Sequence, residues 1–210
     1  LLGAALSAFF APGLKSQLHS KWVLGLRLLV LVPVVWIVIP FVKVAVDDLV
    51  ARQQFPLLSG FETPFEVGRW GGPCRRQLDS AQVYSGTAAL RVDLDTRRYA
   101  GIALKYFPGD WSGYRWLRLH IYNPQTEPFL FYFRIHDQAH SASGNRYSDR
   151  FNTSFKVAPG WTRLEVDLEQ VAAAPKGRRL DLTKVAGMNL FVAKLNEPFS
   201  FYLDEIELVP

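Results

Sequence analysis

Residues 22–42 read WVLGLRLLVLVPVVWIVIPFV, and no other stretch restricts the options of the chain as tightly. As a helix this run rises about 30 Å, the thickness of the hydrocarbon layer of a bilayer. Its single charge, Arg27, lies near its start. Apolar runs of this length are uncommon inside a soluble domain of this size, so a buried core helix is the weaker alternative. Pro33 and Pro40 would break a soluble helix, but a membrane helix tolerates proline where neighbouring groups satisfy the freed carbonyls. The expectation is one transmembrane helix over residues 22–43.

Charge sets its direction. Lys15, Lys21 and Arg27 precede or open the run, whereas Lys43 is followed by Asp47 and Asp48. Under the positive-inside rule, the N-terminal side lies in the cytoplasm and the bulk of the chain is extracytoplasmic. Residues 1–21 open with LLGAALSAFFAPGL, too short for a complete span and without a basic n-region. They read as a membrane-proximal segment, either the end of a preceding helix or a cleaved or truncated start. Residues 44–60 read as a linker that continues helically to residue 54 before FPLLSG opens the folded domain, residues 61–210.

The chain of 210 residues carries 24 basic and 19 acidic side chains, net +5. Residues 1–54 account for +3 of this, through five basic and two acidic residues, and the remainder is nearly balanced. No basic stripe marks a nucleic-acid partner. The lone Cys74 excludes an intrachain disulfide framework and a cysteine-rich zinc site; with no redox motif near it, it reads as an unreactive structural thiol, with a free reactive thiol or an intermolecular link as the alternatives.

From residue 61 onward a period of two replaces the helical period. Leu90, Val92 and Leu94 alternate with Arg91, Asp93 and Asp95, and Ile102, Leu104 and Tyr106 follow. Leu117, Leu119 and Ile121 oppose Trp116, Arg118, His120 and Tyr122. Phe129, Phe131, Phe133 and Ile135 oppose Leu130, Tyr132, Arg134 and His136. Further strands run past Phe151 and Phe155, Leu164 to Leu168, Met188 to Val192, and residues 201–209. Turn-rich segments such as YNPQTEP, VAPGW and APKGRR separate them. Eight or nine short strands, with one brief helical candidate at residues 168–174, predict an all-β chain: a two-sheet antiparallel jelly-roll sandwich. Without crossover helices a parallel α/β sheet is excluded.

Several dispersed motifs share a pattern: FE at Phe61 and Glu62, ALRVDL, DWSGYRWLRLHIYNP, RIHD, YSDRFN, PGW and FYLDEIEL. Together they resemble the jelly rolls of carbohydrate-binding modules, and more closely the related domain of the complex I intermediate-associated protein family. A similar domain follows the last membrane helix of some VanZ-like proteins, and FPLLSGFETPFEVGRW is similar to that junction. The resemblance covers residues 55–210 and stops short of most of the upstream VanZ-like helical region. It implies that Glu62 on the first strand and Asp204 on the last lie side by side, where related sugar-binding modules hold a structural calcium. An arginine partner or plain solvation is the alternative and demands less, since two positions do not make an oxygen cage.

The polar positions of the cleanest strands hold Trp116, His120, Tyr132, Arg134 and His136, joined by Asp149, Arg150 and Asn152. Rings beside forked donors suit a sugar or an acidic polymer. The alternative is that these residues pack beneath the DQAHSASGNRYSDR loop, with Asp137 or Asp149 paired to Arg134 or Arg150. His136, Asp137, His140 and Asp149 are metal-ligand types at a spacing that matches no defined site. Trp70, Trp111 and Trp161 read as core or turn-packing rings. No nucleophile elbow, phosphate-binding glycine loop or zinc-protease motif marks an enzyme. The sequence thus predicts a non-catalytic, membrane-anchored module with lipid and a glycan or envelope polymer as partners. A structural or assembly subunit, partnered by other members of a membrane complex, is the rival. Structural calcium is the one cofactor expected.

Overall fold

The structure, a computed structural model, describes residues 21–210; the readings made of residues 1–20 and of the side chains of residues 21–28 and Val30 lie outside the described part. Among the described residues it divides into two compact units, the first ending at Val46 and the second Asp47–Pro210. Helix α1 runs Lys21–Gln54 without interruption through Pro33 and Pro40. Between Leu29 and Val46 its described apolar side chains are exposed on every side: Leu29, Val35, Trp36, Ile39 and Phe41 are each at least half accessible. Among the described residues no helix is long and apolar enough to cross a membrane, because every eighteen-residue stretch from Leu31 onward takes in Lys43, Asp47 and Asp48. The expected span also needs residues 22–28 and Val30.

The second unit is a β-sandwich of jelly-roll type, built from β1 (Leu57–Ser59), β2 (Trp70–Gly71), β3 (Arg75–Asp79), β4 (Ala89–Leu94), β5 (Tyr99–Leu104) and β6 (Trp116–Asn123), then β7 (Phe129–Asp137), β8 (Phe151–Val157), β9 (Gly160–Asp167), β10 (Val185–Ala193) and β11 (Phe199–Val209). One sheet has six strands in the order β3-β4-β11-β6-β9, with β1 extending the β4 side of β11. The other has five, β2-β5-β10-β7-β8, and every pairing is antiparallel. Short helices α2 (Pro64–Arg69), α3 (Ala139–Ala142) and α4 (Leu168–Ala173) cap its ends. The last lies where the brief helical candidate was expected, with Asp167 accepting from the Glu169 N–H at its start.

Alternation fills the space between the sheets. Phe131 and Phe133 of β7 and Leu190 of β10 meet Val92, Leu119 and Phe201 from the six-stranded sheet in one buried cluster. Phe131 and Phe201 touch edge to face across the sandwich at 4.8 Å, and Phe129 and Phe199 at 4.7 Å. A one-residue bulge in β11, with Glu205 at φ 44°, lets Ile206 and Leu208 return to the inward phase set by Phe201 and Leu203.

Three local readings are corrected. The folded unit opens before residue 61, since β1 pairs with β11 at residues 57–59. Tyr106 lies beyond the end of β5 and is exposed, the pairing with the neighbouring strand ending at the Lys105 N–H, which donates to the Arg69 carbonyl. The stretch after Glu62 begins a helix, for which Thr63-Pro64-Phe65-Glu66 is a legible start: the Glu66 carboxylate accepts from the Thr63 N–H at 3.0 Å.

Candidate functional site

On the outer face of the five-stranded sheet the side chains of β5, β10 and β7 stand in register. Phe191 opposes Gly101 on one side and Tyr132 on the other, while Asn189 opposes Ala103 and Arg134. The Phe191 and Tyr132 rings stack at 5.4 Å and 19°, and Tyr99 meets Phe191 edge-on at 6.0 Å. Gly101 makes this possible. A methyl group there would sit 2.5 Å from Phe191 Cα and 2.2 Å from the Leu190 carbonyl oxygen. The rings thus floor an open groove of about 730 Å³, walled by Arg134, Arg150 and Tyr147.

Among the described residues, the two arginines are the only charged ones lining the groove. Arg134 donates through Nε to the Asn189 side-chain oxygen at 3.2 Å, and Arg150 through Nε to that of Asn152 at 2.9 Å. Asn152 is fixed in turn by donating to the Tyr147 and Arg150 carbonyls, and it stands opposite Arg134 across the β7–β8 ladder. Arg150 also lies over the Tyr147 ring at 5.3 Å. Among the described residues no carboxylate lies within salt-bridge distance of either guanidinium, and neither terminal Nη pair donates to a protein acceptor. Burial lowers the pKa of both, and for Arg134 the nearby Arg150 charge adds to the effect.

The expected pairing of Asp137 or Asp149 with these arginines is therefore corrected. Both carboxylates bind Arg178, from the segment read only as a turn. Its Nη1 and Nη2 donate to Asp137 at 2.6 and 2.9 Å, and its Nε and Nη2 to Asp149 at 2.6 and 2.9 Å. Asp137 also accepts from the His140 and Asp181 N–H groups, and Asp149 from the Ser143 hydroxyl. Burial raises Asp137, but the Arg178 bonds outweigh it and hold the carboxyl below its usual range. Asp149 is held lower still, by Arg178 first and Ser143 next. This cluster ties down the 138–150 connection that carries Tyr147 and Arg150 to the groove.

His136 also points outward from β7, but it is half-buried over Gly187, 5.0 Å from the His140 ring. Desolvation, helped by Arg134 and His140, pushes it down to about 4. Trp116 and His120 belong to β6 and therefore to the opposite sheet. There Arg118 pairs with Glu165 and Glu207, and the 80–88 loop folds over His120, with Tyr84 stacked on it at 3.6 Å. His120 is thereby 2% exposed. Trp70 and Trp111 are core rings, whereas Trp161 lies on this same outer face beside Tyr122.

That loop is held by the two carboxylates considered for calcium. Asp204 accepts from the Tyr84, Ser85 and Glu205 N–H groups, and Glu62, which lies after β1 rather than on it, accepts from the Thr87 N–H and hydroxyl. Calcium asks for about six to eight oxygens, whereas these oxygens already face hydrogen-bond donors, so the residues present do not fit the ion. Among the described residues no three His, Cys, Asp or Glu side chains group as a metal site.

Of the predicted residues, the structure therefore gathers Tyr132, Arg134, Arg150 and Asn152 at one place. Tyr99, Phe191, Tyr147 and Asn189 complete it and were missed. Phe191 had a signal, a ring in the outward phase between Leu190 and Val192. Tyr99 had the same one before Ala100.

No family model matches the chain, and no curated protein matches it either. Solved structures do. The family 11 carbohydrate-binding module from Clostridium thermocellum, in complex with a β-1,3-1,4-mixed-linked tetrasaccharide, aligns with a TM-score of 0.53 at 17% identity, over 73% of this chain and 94% of that one. The solution structure of the same family's module, CtCBM11, gives 0.52 at 21% identity, over 73% and 93%. An exo-β-agarase gives 0.59 at 18%, the match covering 73% of this chain but only 24% of the enzyme. At these identities the fold is what is shared. The narrower resemblance to the complex I intermediate-associated and VanZ-like families gains no support from these comparisons.

Proposed function

We propose that this chain is a non-catalytic binding module that holds a glycan or cell-envelope polymer in the groove of the five-stranded sheet. The observation that carries the reading is the Phe191–Tyr132 stack set beside two guanidinium groups that no carboxylate of the described residues engages. Flat rings cover the apolar face of a sugar, and fixed forked donors take its oxygens. The polar lining is tyrosine, arginine and asparagine, a set suited to orienting oxygen groups rather than to glycosidic acid–base work, which uses paired carboxylates. The sugar ligand of the Clostridium thermocellum module makes mixed-linked β-glucan a natural first probe.

In this reading α1 anchors the module in a bacterial cytoplasmic membrane with the sandwich outside. Its support is the ring of exposed apolar side chains around the helix. The same exposed helix favours a second reading, a structural or assembly subunit of a larger membrane complex. Calorimetry on the full chain in detergent micelles, against a panel of neutral and charged polysaccharides, separates the two. The module reading expects a saturable isotherm that Phe191→Ala weakens about tenfold, the loss of one stacking ring. Silence across the panel, with co-purification of fixed membrane partners, would replace it by the subunit reading.

A further inference from the structure

The groove carries a charge pattern that a neutral sugar does not need. Two arginines share one wall with no carboxylate among the lining residues. Their Nε atoms are spent on Asn189 and Asn152, which orients the forks and leaves the paired Nη groups undirected toward any protein acceptor. The carboxylates nearest to them in sequence, Asp137 and Asp149, pair with Arg178 instead. Half-buried like charges without counter-ions are costly unless something else supplies the negative charge. The Arg178 cluster braces the connection that delivers Arg150, and it engages the Asp149 carboxylate next to Arg150 in sequence.

We infer that the groove is built for an acidic glycan, with a sugar carboxylate or sulfate seated against the open forks of Arg134 and Arg150 and the sugar ring lying on Phe191 and Tyr132. The inference rests on the glycan reading above. Guanidinium forks match the planar carboxylate and the oxygens of a sulfate in pairs, which lysine cannot do. Ring platform and anion seat lie side by side because Phe191, Tyr132, Asn189 and Arg134 occupy successive outward positions of the same two strands. The hydroxyls of a neutral chain would accept from the two forks, but only an acidic chain also supplies the counter-charge.

The test uses the full chain in detergent micelles and ligand pairs that share a sugar backbone and differ in whether it carries charged groups. Trigalacturonate is compared with its fully methyl-esterified form, and dextran sulfate with dextran. The charged member of at least one pair is expected to bind at least tenfold more tightly. Arg134→Gln and Arg150→Gln should each remove about tenfold of that affinity, the loss of a charged two-point contact. Arg118→Gln, on the opposite sheet, should leave it unchanged. Preference for trigalacturonate assigns a carboxylate, preference for dextran sulfate a sulfate, and either supports the inference. Matching melting curves establish that the variants are folded. Equal affinity for charged and neutral members, with both groove variants silent, overturns the acidic ligand while leaving the glycan reading intact. An equal loss in the Arg118 variant would reduce the preference to general charge attraction and overturn it too. If no member binds and the wider polysaccharide panel is silent too, the glycan reading fails as well.

Discussion

Replacing Arg178 by methionine should both destabilise the sandwich and weaken its groove. The guanidinium makes two bonds to Asp137, whose side chain is wholly buried, and two to Asp149. Without it Asp137 keeps only the His140 and Asp181 N–H groups. Breaking a buried ion pair by removing one partner costs about 3–5 kcal/mol. Because 27% of the Arg178 side chain is exposed, the low end applies, about 3 kcal/mol, resting on Asp137 alone. For a unit of this size that lowers the melting temperature by about 6–12 °C. Affinity for the groove ligand should fall together with stability, since the 138–150 connection loses its brace. The pH dependence has a definite sign. In the native chain both aspartates titrate below their usual value, so their stabilisation is present above that value and lost as pH falls through the depressed one. In the variant, burial without the guanidinium raises Asp137, so the gap between the two proteins narrows from pH 7 toward pH 4. Thermal melts at several pH values measure this. A shift below about 2 °C at pH 7, with unchanged affinity, would refute the brace.

Gly101→Ala should loosen the β5–β10 ladder and abolish ligand binding, because its methyl group meets the backbone of Leu190 and Phe191 rather than a side chain that can swing away; melting and calorimetry read both losses. His136 should titrate near pH 4 in an NMR pH series rather than at the free imidazole value of about 6.5. Its lowered pKa costs stability progressively as pH drops from 6.5 toward 4, where the unfolded chain takes the proton first. Calcium should leave the melting temperature where chelator leaves it, since the Glu62 and Asp204 oxygens face N–H and O–H donors; a rise of several degrees with calcium would show that the loop can reorganise into an oxygen cage.

Strand alternation revealed which side chains of a strand share a face, but not which sheet owns the strand. The outward rows of β6 and β7, each rich in rings and arginine, therefore merged into one predicted face, whereas the fold sends them to opposite sides of the sandwich. Tyr132 and Arg134 could be read because β7 alternates without interruption. Phe191 was hidden by chemistry: among Met188, Leu190 and Val192 an outward ring looks like more core. Arg178 was hidden by distance. It lies 41 positions beyond Asp137 in a turn-rich segment, and nothing local announces an ion pair that only the packing of two connections creates.

Chemical-shift mapping of the isotopically labelled full chain, titrated with trigalacturonate, tests the central claim most directly. The account predicts that shifts concentrate at Tyr99, Tyr132, Arg134, Arg150 and Phe191. Shifts centred instead on Tyr84, Tyr122 and Trp161, across the sandwich, would contradict it.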